Sequence, residues 1–312
     1  MPGHQGYNRL LTGAAGKTMI NGSIVAIVTP MHEDGEIDFP AFDRLLEWHV
    51  ESGTDAVVVV GTTGESATLS TQEHCDLVAH CVQTINGRMP VIAGSGSNST
   101  QEALFFTESA KSHGADACLL VTPYYNKPSQ EGLYQHFKTI AESIDIPQIL
   151  YNVPGRTACD LLPETVARLA DLSNVIGIKE ATGSVERAQQ VIDRCGDKLA
   201  VYSGDDPIAM ELMLSGAKGN ISVTANVAPA IMHQLCEVSM AGDRELATTL
   251  NDRVALLHDR LFLESNPVPV KWALYRMGLI GRGIRLPLVE LNATFHDQVT
   301  EAMAVAGIEL EN

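Results

Sequence analysis

Eight short apolar runs recur along this chain at regular intervals, and they constrain its fold more than any other feature. They are Ile24–Val28, Ala56–Val60, Pro90–Ala93, Ala117–Val121, Pro147–Tyr151, Val175–Lys179, Leu199–Ser203 and Gly219–Val223. Each is β-rich and apolar throughout instead of alternating, the pattern of strands buried on both faces of a parallel sheet. Segments with helical spacing separate them, such as Phe42, Leu45, Leu46, Trp48 and His49. Ser70-Thr-Gln-Glu73 and Ser99-Thr-Gln-Glu102 read as capping boxes, in which Ser and Glu satisfy helix-start donors reciprocally. Eight strand–helix units close into a (β/α)8 barrel, the TIM-barrel member of the α/β class. A doubly wound open sheet is the competing architecture. It would put a glycine fingerprint near the start, and Thr29-Pro30-Met31 has none.

From Asp243 onward the pattern is helical only. Leu246, Leu250, Val254, Leu257 and Leu261 form an apolar stripe. Further helices are predicted over Pro267–Met277 and Phe295–Ala306. The expected organisation is a non-native or disordered leader over residues 1–18, a barrel over 19–242 and a C-terminal helical extension over 243–312 packed on it. The leader is Gly-rich and polar and lacks the apolar core of a secretory signal.

The formal charge of −17 leaves no basic face for nucleic acid. No apolar stretch reaches membrane-spanning length, so a cytoplasmic enzyme with no membrane partner is expected. The six cysteines are scattered without CxxC and read as reduced thiols. The ten histidines show no metal-ligand spacing, so no metal is expected.

Active sites of such barrels form at the C-terminal strand ends. The sixth run ends in Lys179. Burial disfavours an ammonium there, and a neutral amine attacks ketones. A lone strand-end lysine more often snorkels to the surface, but Lys179 has company. The other ends carry Gly61-Thr62-Thr63-Gly64-Glu65-Ser66, Tyr124-Tyr125, Tyr151-Asn152 with Arg156, and Ser203-Gly204-Asp205-Asp206. Each alone has an ordinary reading as turn, packing or surface charge. Together they surround one barrel mouth with an amine, three tyrosines, hydroxyl donors and a guanidinium. A Lys179 iminium is an electron sink that lets the neighbouring carbon lose a proton. Tyr151 is placed to move protons, with Thr62 and Tyr125 able to pass them onward. The backbone amides of Thr62-Thr63 suit a keto-acid carboxylate, and Arg156 suits a second one.

Gly61-Thr-Thr-Gly-Glu-Ser66, Tyr151-Asn-Val-Pro-Gly-Arg-Thr157 and Val175-Ile-Gly-Ile-Lys-Glu-Ala-Thr-Gly183 resemble the dihydrodipicolinate synthase family. The likeness runs from about Gly22 almost to the C-terminus and takes in Ser203–Asp206, Ile221–Asn226 and Asn266-Pro-Val-Pro-Val-Lys271. The resemblance implies condensation of pyruvate with L-aspartate 4-semialdehyde, in the diaminopimelate route to lysine. It implies that Lys179 forms a Schiff base with pyruvate, with no other cofactor, and that Tyr151 is the proton donor. By the same likeness Thr62 and Tyr125 complete the relay, while Thr63, Ile221 and Gly204 bind substrate and Arg156 holds the semialdehyde. It implies a homotetramer, a dimer of dimers, in which Tyr125 reaches a neighbouring subunit's site. It also implies inhibition by L-lysine at Ser66, Ala67, His74, Asn98, Glu102 and Tyr124. Glu102 and His74 also have plain readings, as half of a capping box and as a helix-surface residue. Another pyruvate-dependent class I aldolase or lyase, such as an N-acetylneuraminate or keto-deoxy-sugar acid lyase, would keep Lys179 and Tyr151 but lack the Tyr125–Arg156 pair. A binding protein on a barrel scaffold would not need the lysine and its relay.

Overall fold

A computed structural model describes residues 10–12 and 18–310. Eight parallel strands close into one barrel: Gly22–Ala26, Ala56–Val59, Val91–Gly94, Ala117–Val121, Gln148–Asn152, Val175–Glu180, Ala200–Ser203 and Gly219–Ser222. The eighth strand pairs with the first through Ile221 and Ile24, which seals the sheet and leaves it no edge. All eight apolar runs are therefore strands, with ends shifted by no more than two residues and the fourth, Ala117–Val121, unshifted. The largest shift is in the first, where Ile27 and Val28 follow the strand but stay buried.

Two apolar clusters fill the molecule. One lies inside the barrel and includes Ile24, Val58, Ile92, Leu119, Ile149, Ile176, Tyr202 and Ile221. The other lies between strands and helices. Because strands feed both clusters, nearly every position is apolar, which explains the unbroken runs.

The C-terminal helices are Arg244–Arg260, Val268–Arg276 and His296–Val305. Asp243 caps the first by accepting the Leu246 N–H at 3.1 Å. Leu250, Val254, Leu257 and Leu261 are buried in the outer cluster, so these helices share the barrel's core. Leu246 departs from the expected stripe. It is 44% exposed, and the adjacent Ala247 is the residue of that first turn that packs inward.

One further expectation needs correction. Ser70 and Glu73 form a complete capping box. Ser99 accepts the Glu102 N–H at 3.4 Å, but Glu102 does not reciprocate; its carboxylate takes the Ser97 hydroxyl instead. Within the expected non-native or disordered leader, Leu10–Thr12 pairs antiparallel with Thr18–Ile20. The rest of that expectation falls on residues 1–9 and 13–17, outside the described residues. No helix among the described residues is long and apolar enough to cross a membrane.

Three buried histidines make stability depend on acid. Burial pulls the pKa of His49 down to about 3, and those of His74 and His136 down to about 4. In the unfolded chain each titrates near 6.5. Below that pH the unfolded state takes protons the folded state refuses, so stability falls as pH drops toward 4. Burial also raises the carboxyls of Glu180, Asp205 and Asp116, which acts in the opposite sense. The comparison with a variant isolates one histidine. Between pH 5.5 and 4.5, His49→Gln is expected to flatten the fall in unfolding free energy by about 1.4 kcal/mol per pH unit. Denaturant titrations of both proteins at three pH values measure it. Equal slopes would mean that His49 ionises in the folded protein.

Candidate active site

Lys179 points into the barrel because its strand carries a bulge. Val175 pairs with Gln148, but Gly177 pairs with Ile149, so the sixth strand gains a residue on the fifth. Ile176 belongs to the interior cluster and Ile178 to the outer one. Strict alternation from Ile176 would turn Lys179 outward. With the extra residue, Lys179 pairs with Tyr151 and shares its inward face. Glycine is required at the bulge, since a Cβ at 177 would lie 2.6 Å from Cε2 of Tyr202. Tyr202 is itself fixed, donating its hydroxyl to the Ile20 carbonyl at 2.6 Å.

The ammonium nitrogen of Lys179 sits 4.4 Å from the centre of the Tyr151 ring. Both residues are buried, at 6% and 7% exposure. Gly204 makes room for the lysine stem; a Cβ there would come within 2.9 Å of Lys179 Cε. Above them a cavity opens at the C-terminal ends of the strands. Thr62, Thr63, Tyr151, Arg156, Lys179 and Gly204 all line it, as the sequence led one to expect.

Two expected residues lie elsewhere. Ile221 is fully buried in the interior cluster and does not line the cavity, because its side chain is one layer below the mouth; Val223 lines it instead. Tyr125 is 88% exposed and lies outside the lining of its own chain's cavity. Its backbone holds a left-handed φ of 73°, unusual for a side chain of this size. Arg156 stands on the short helix Pro154–Thr157 at the rim and has no carboxylate partner among the described residues.

The Thr62-Thr63 turn is ready for an anion. Gly64, Glu65 and Ser66 send their N–H groups back to the carbonyls of Gly61 and Thr62. Among the described residues the amides of Thr62 and Thr63 have no acceptor. Asn266 and Asp205 also line the cavity, and sequence reasoning gave neither a role. Asn266 donates to Thr63 Oγ1 at 3.0 Å. Burial pushes the Asp205 carboxyl up, while the Gly183 N–H and the charge of Lys179 hold it back.

A groove adjoins this cavity and shares Thr62, Ser66, His74 and Arg156 with it. Ser66, Ala67, His74, Glu102 and Tyr124 line the groove. Asn98 is outside the lining but donates to the Tyr124 carbonyl at 3.2 Å. His74 is not a helix-surface residue. It is buried, stacks on Phe106 with ring centres 4.1 Å apart, and lies 2.8 Å through Nε2 from the Gly94 carbonyl. With its pKa near 4 the ring is neutral at neutral pH, so Nε2 carries the hydrogen donated to that carbonyl. No cluster of three or more His, Cys, Asp or Glu suited to a metal occurs among the described residues.

Residues 19–306 match the Dihydrodipicolinate synthetase family. The chain is 60% identical to the 4-hydroxy-tetrahydrodipicolinate synthase of Stutzerimonas stutzeri, over 93% of this chain and 99% of that protein. Among solved structures it resembles the chloride-inhibited dihydrodipicolinate synthase of Acinetobacter baumannii complexed with pyruvate. That likeness has a TM-score of 0.93 and 56% identity, covering 93% of this chain and 100% of that one. The synthase of Cyanidioschyzon merolae with lysine bound is similar at a TM-score of 0.90 and 37% identity, covering 93% and 99%. The chain is an enzyme of the lyase class and belongs to the dihydrodipicolinate synthetase family.

Proposed function

We propose that the enzyme condenses pyruvate with L-aspartate 4-semialdehyde through a Schiff base on Lys179, in the diaminopimelate route to lysine in the cytoplasm. The observation that carries this reading is the pairing of Lys179 with Tyr151 beside two unpartnered amides, those of Thr62 and Thr63. It is joined by 60% identity to a 4-hydroxy-tetrahydrodipicolinate synthase.

The lysine amine attacks the pyruvate ketone to give a carbinolamine, which loses water to form an iminium. Tyr151 donates the proton that lets water leave. The methyl carbon then gives up a proton, and the resulting enamine attacks the aldehyde carbon of the semialdehyde. Thr62 passes protons between the buried tyrosine and the cavity mouth. The pyruvate carboxylate sits on the amides of Thr62 and Thr63, and Gly204 leaves the lysine space to swing. The unpaired fork of Arg156 at the rim takes the second substrate's carboxylate. No metal or external cofactor enters any step. Tyr125 completes the relay from a neighbouring subunit of a homotetramer, a dimer of dimers. Its exposure and strained backbone fit a residue ordered by a partner.

L-lysine is the proposed inhibitor, bound by Ser66, Ala67, His74, Asn98, Glu102 and Tyr124. Support comes from the groove that five of them line and from the lysine-bound relative. Glu102 pairs with the ligand's ammonium.

A rate assay with pyruvate and the semialdehyde, run with and without millimolar L-lysine, tests the reading. The parent is expected to form product and to slow with lysine, and Glu102→Thr to lose at least about tenfold in lysine sensitivity. Sugar-acid cleavage without condensation would replace the substrate assignment. Full activity in lysine would remove the inhibitor while leaving the catalytic reading intact.

A further inference from the structure

The turn that offers the Thr62 and Thr63 amides is flanked by strain. Val60 and Glu65 both hold left-handed backbones, at φ 51° and 56°. A β-branched residue there is a genuine outlier, and such conformations persist only where their surroundings enforce them. Here the enforcement comes from far along the chain. The Glu65 side chain is wholly buried and forms an ion pair with Lys271, whose side chain is 5% exposed. The other Glu65 oxygen accepts the Arg285 N–H at 3.2 Å. Arg285 is anchored in turn to the Glu73 carboxylate and to the carbonyls of Thr68 and Gly35. Asn266 donates to Thr63 Oγ1, and Thr29 donates to the Gly64 carbonyl at 2.7 Å.

A buried ion pair is weak evidence for stability, because desolvation offsets most of the attraction. Its geometry bears on specificity of conformation. The pair fixes the last residue of the turn, Asn266 fixes its centre, and Thr29 fixes the carbonyl between them. Among the described residues the amides of Thr62 and Thr63 are left without acceptors, on residues that line the cavity with Lys179. Burial pulls the Lys271 pKa down, and the nearby Glu65 carboxylate resists that pull.

We propose that Glu65, Lys271 and Asn266 are positioning residues: the C-terminal helical region clamps the substrate-binding turn in its anion-receiving shape. The assignment rests on reading that turn as the site of the pyruvate carboxylate. It gives the C-terminal region a role in substrate affinity, although it supplies no reacting group.

Single variants of the pair leave one buried charge uncompensated and can fail to fold. The informative protein is the neutral double variant Glu65→Gln/Lys271→Met, with Asn266→Ala beside it. Each is expected to keep a thermal midpoint close to the parent's. Amide exchange should quicken in the peptide spanning Gly61–Ser66, and the pyruvate KM should rise by about tenfold with kcat within about threefold. A merely structural brace would lower the midpoint and leave the KM of the folded enzyme alone. A parental pyruvate KM in folded Asn266→Ala or in the folded double variant overturns the proposal, whatever the exchange shows. Failure of the underlying reading looks different: the parent itself would capture no pyruvate on borohydride treatment. In that event parental exchange across Gly61–Ser66 in the variants still overturns the clamp, and accelerated exchange upholds it.

Discussion

Lys179→Ala is expected to lose roughly 10⁴- to 10⁶-fold in kcat, because no other group can supply the covalent step. Only one other described lysine is deeply buried. Lys271, at 5% exposure, is bound to the Glu65 carboxylate and does not line the cavity. Its lone pair is committed to a proton shared with that partner. Among the described residues Lys179 has no carboxylate within ion-pair distance; its neighbours include the Tyr151 ring and the stem-accommodating Gly204, and its charge acts on Asp205. Pyruvate followed by borohydride should therefore add mass to the parent at Lys179 alone, and to Lys179→Ala nowhere. Peptide mapping reads the site directly. Label at Lys271, or unlabelled enzyme that still turns over, would remove the Schiff-base assignment. Because the alanine variant deletes a side chain that fills part of a cavity, its thermal midpoint serves as the control for folding.

The barrel was legible because burial on both faces writes itself into sequence as unbroken apolar runs. The direction of Lys179 was not. Alternation counted from Ile176 sends it outward, and only the extra residue at the Ile176–Gly177 bulge turns it in. A bulge leaves no signal in hydrophobicity, and the lone glycine that permits it looks like any other. Gly61–Ser66 was legible as a turn from its glycines. What holds it was not, because Asn266 lies 203 residues from Thr63 and Lys271 lies 206 from Glu65. Local patterning carries no information about such pairs. Ile221 came from the family likeness alone, and in the structure its side chain belongs to the barrel's interior cluster while Val223 lines the cavity. Ser99 and Glu102 stand at capping-box spacing, yet the Ser97 hydroxyl comes between them: it accepts the Ser99 N–H at 3.0 Å and donates to the Glu102 carboxylate. Tyr125 could be chosen as functional by type and position, while its exposure shows that one chain alone does not bring it to Lys179.

Tyr151→Phe separates proton transfer from binding. The ring of Tyr151 packs at 4.4 Å from the lysine nitrogen, and phenylalanine preserves that packing. What disappears is one hydroxyl, on a residue that is 7% exposed overall. Carbinolamine dehydration needs a proton delivered to the departing oxygen, and a positioned acid contributes about 10²- to 10⁴-fold. The variant is expected to drop about 10²- to 10³-fold in kcat while its pyruvate dissociation constant changes by less than about threefold. Rapid-quench borohydride trapping shows where the loss falls. The adduct should form slowly yet reach nearly full occupancy at saturating pyruvate, since equilibrium is set by the lysine and the amide turn. A variant that traps at the parental rate but condenses slowly would move Tyr151 to the later carbon–carbon step. A variant with weakened pyruvate binding and parental kcat would make the hydroxyl a ground-state contact instead. The distinction matters for Thr62, because a relay has a purpose only if the tyrosine must be reprotonated in every cycle.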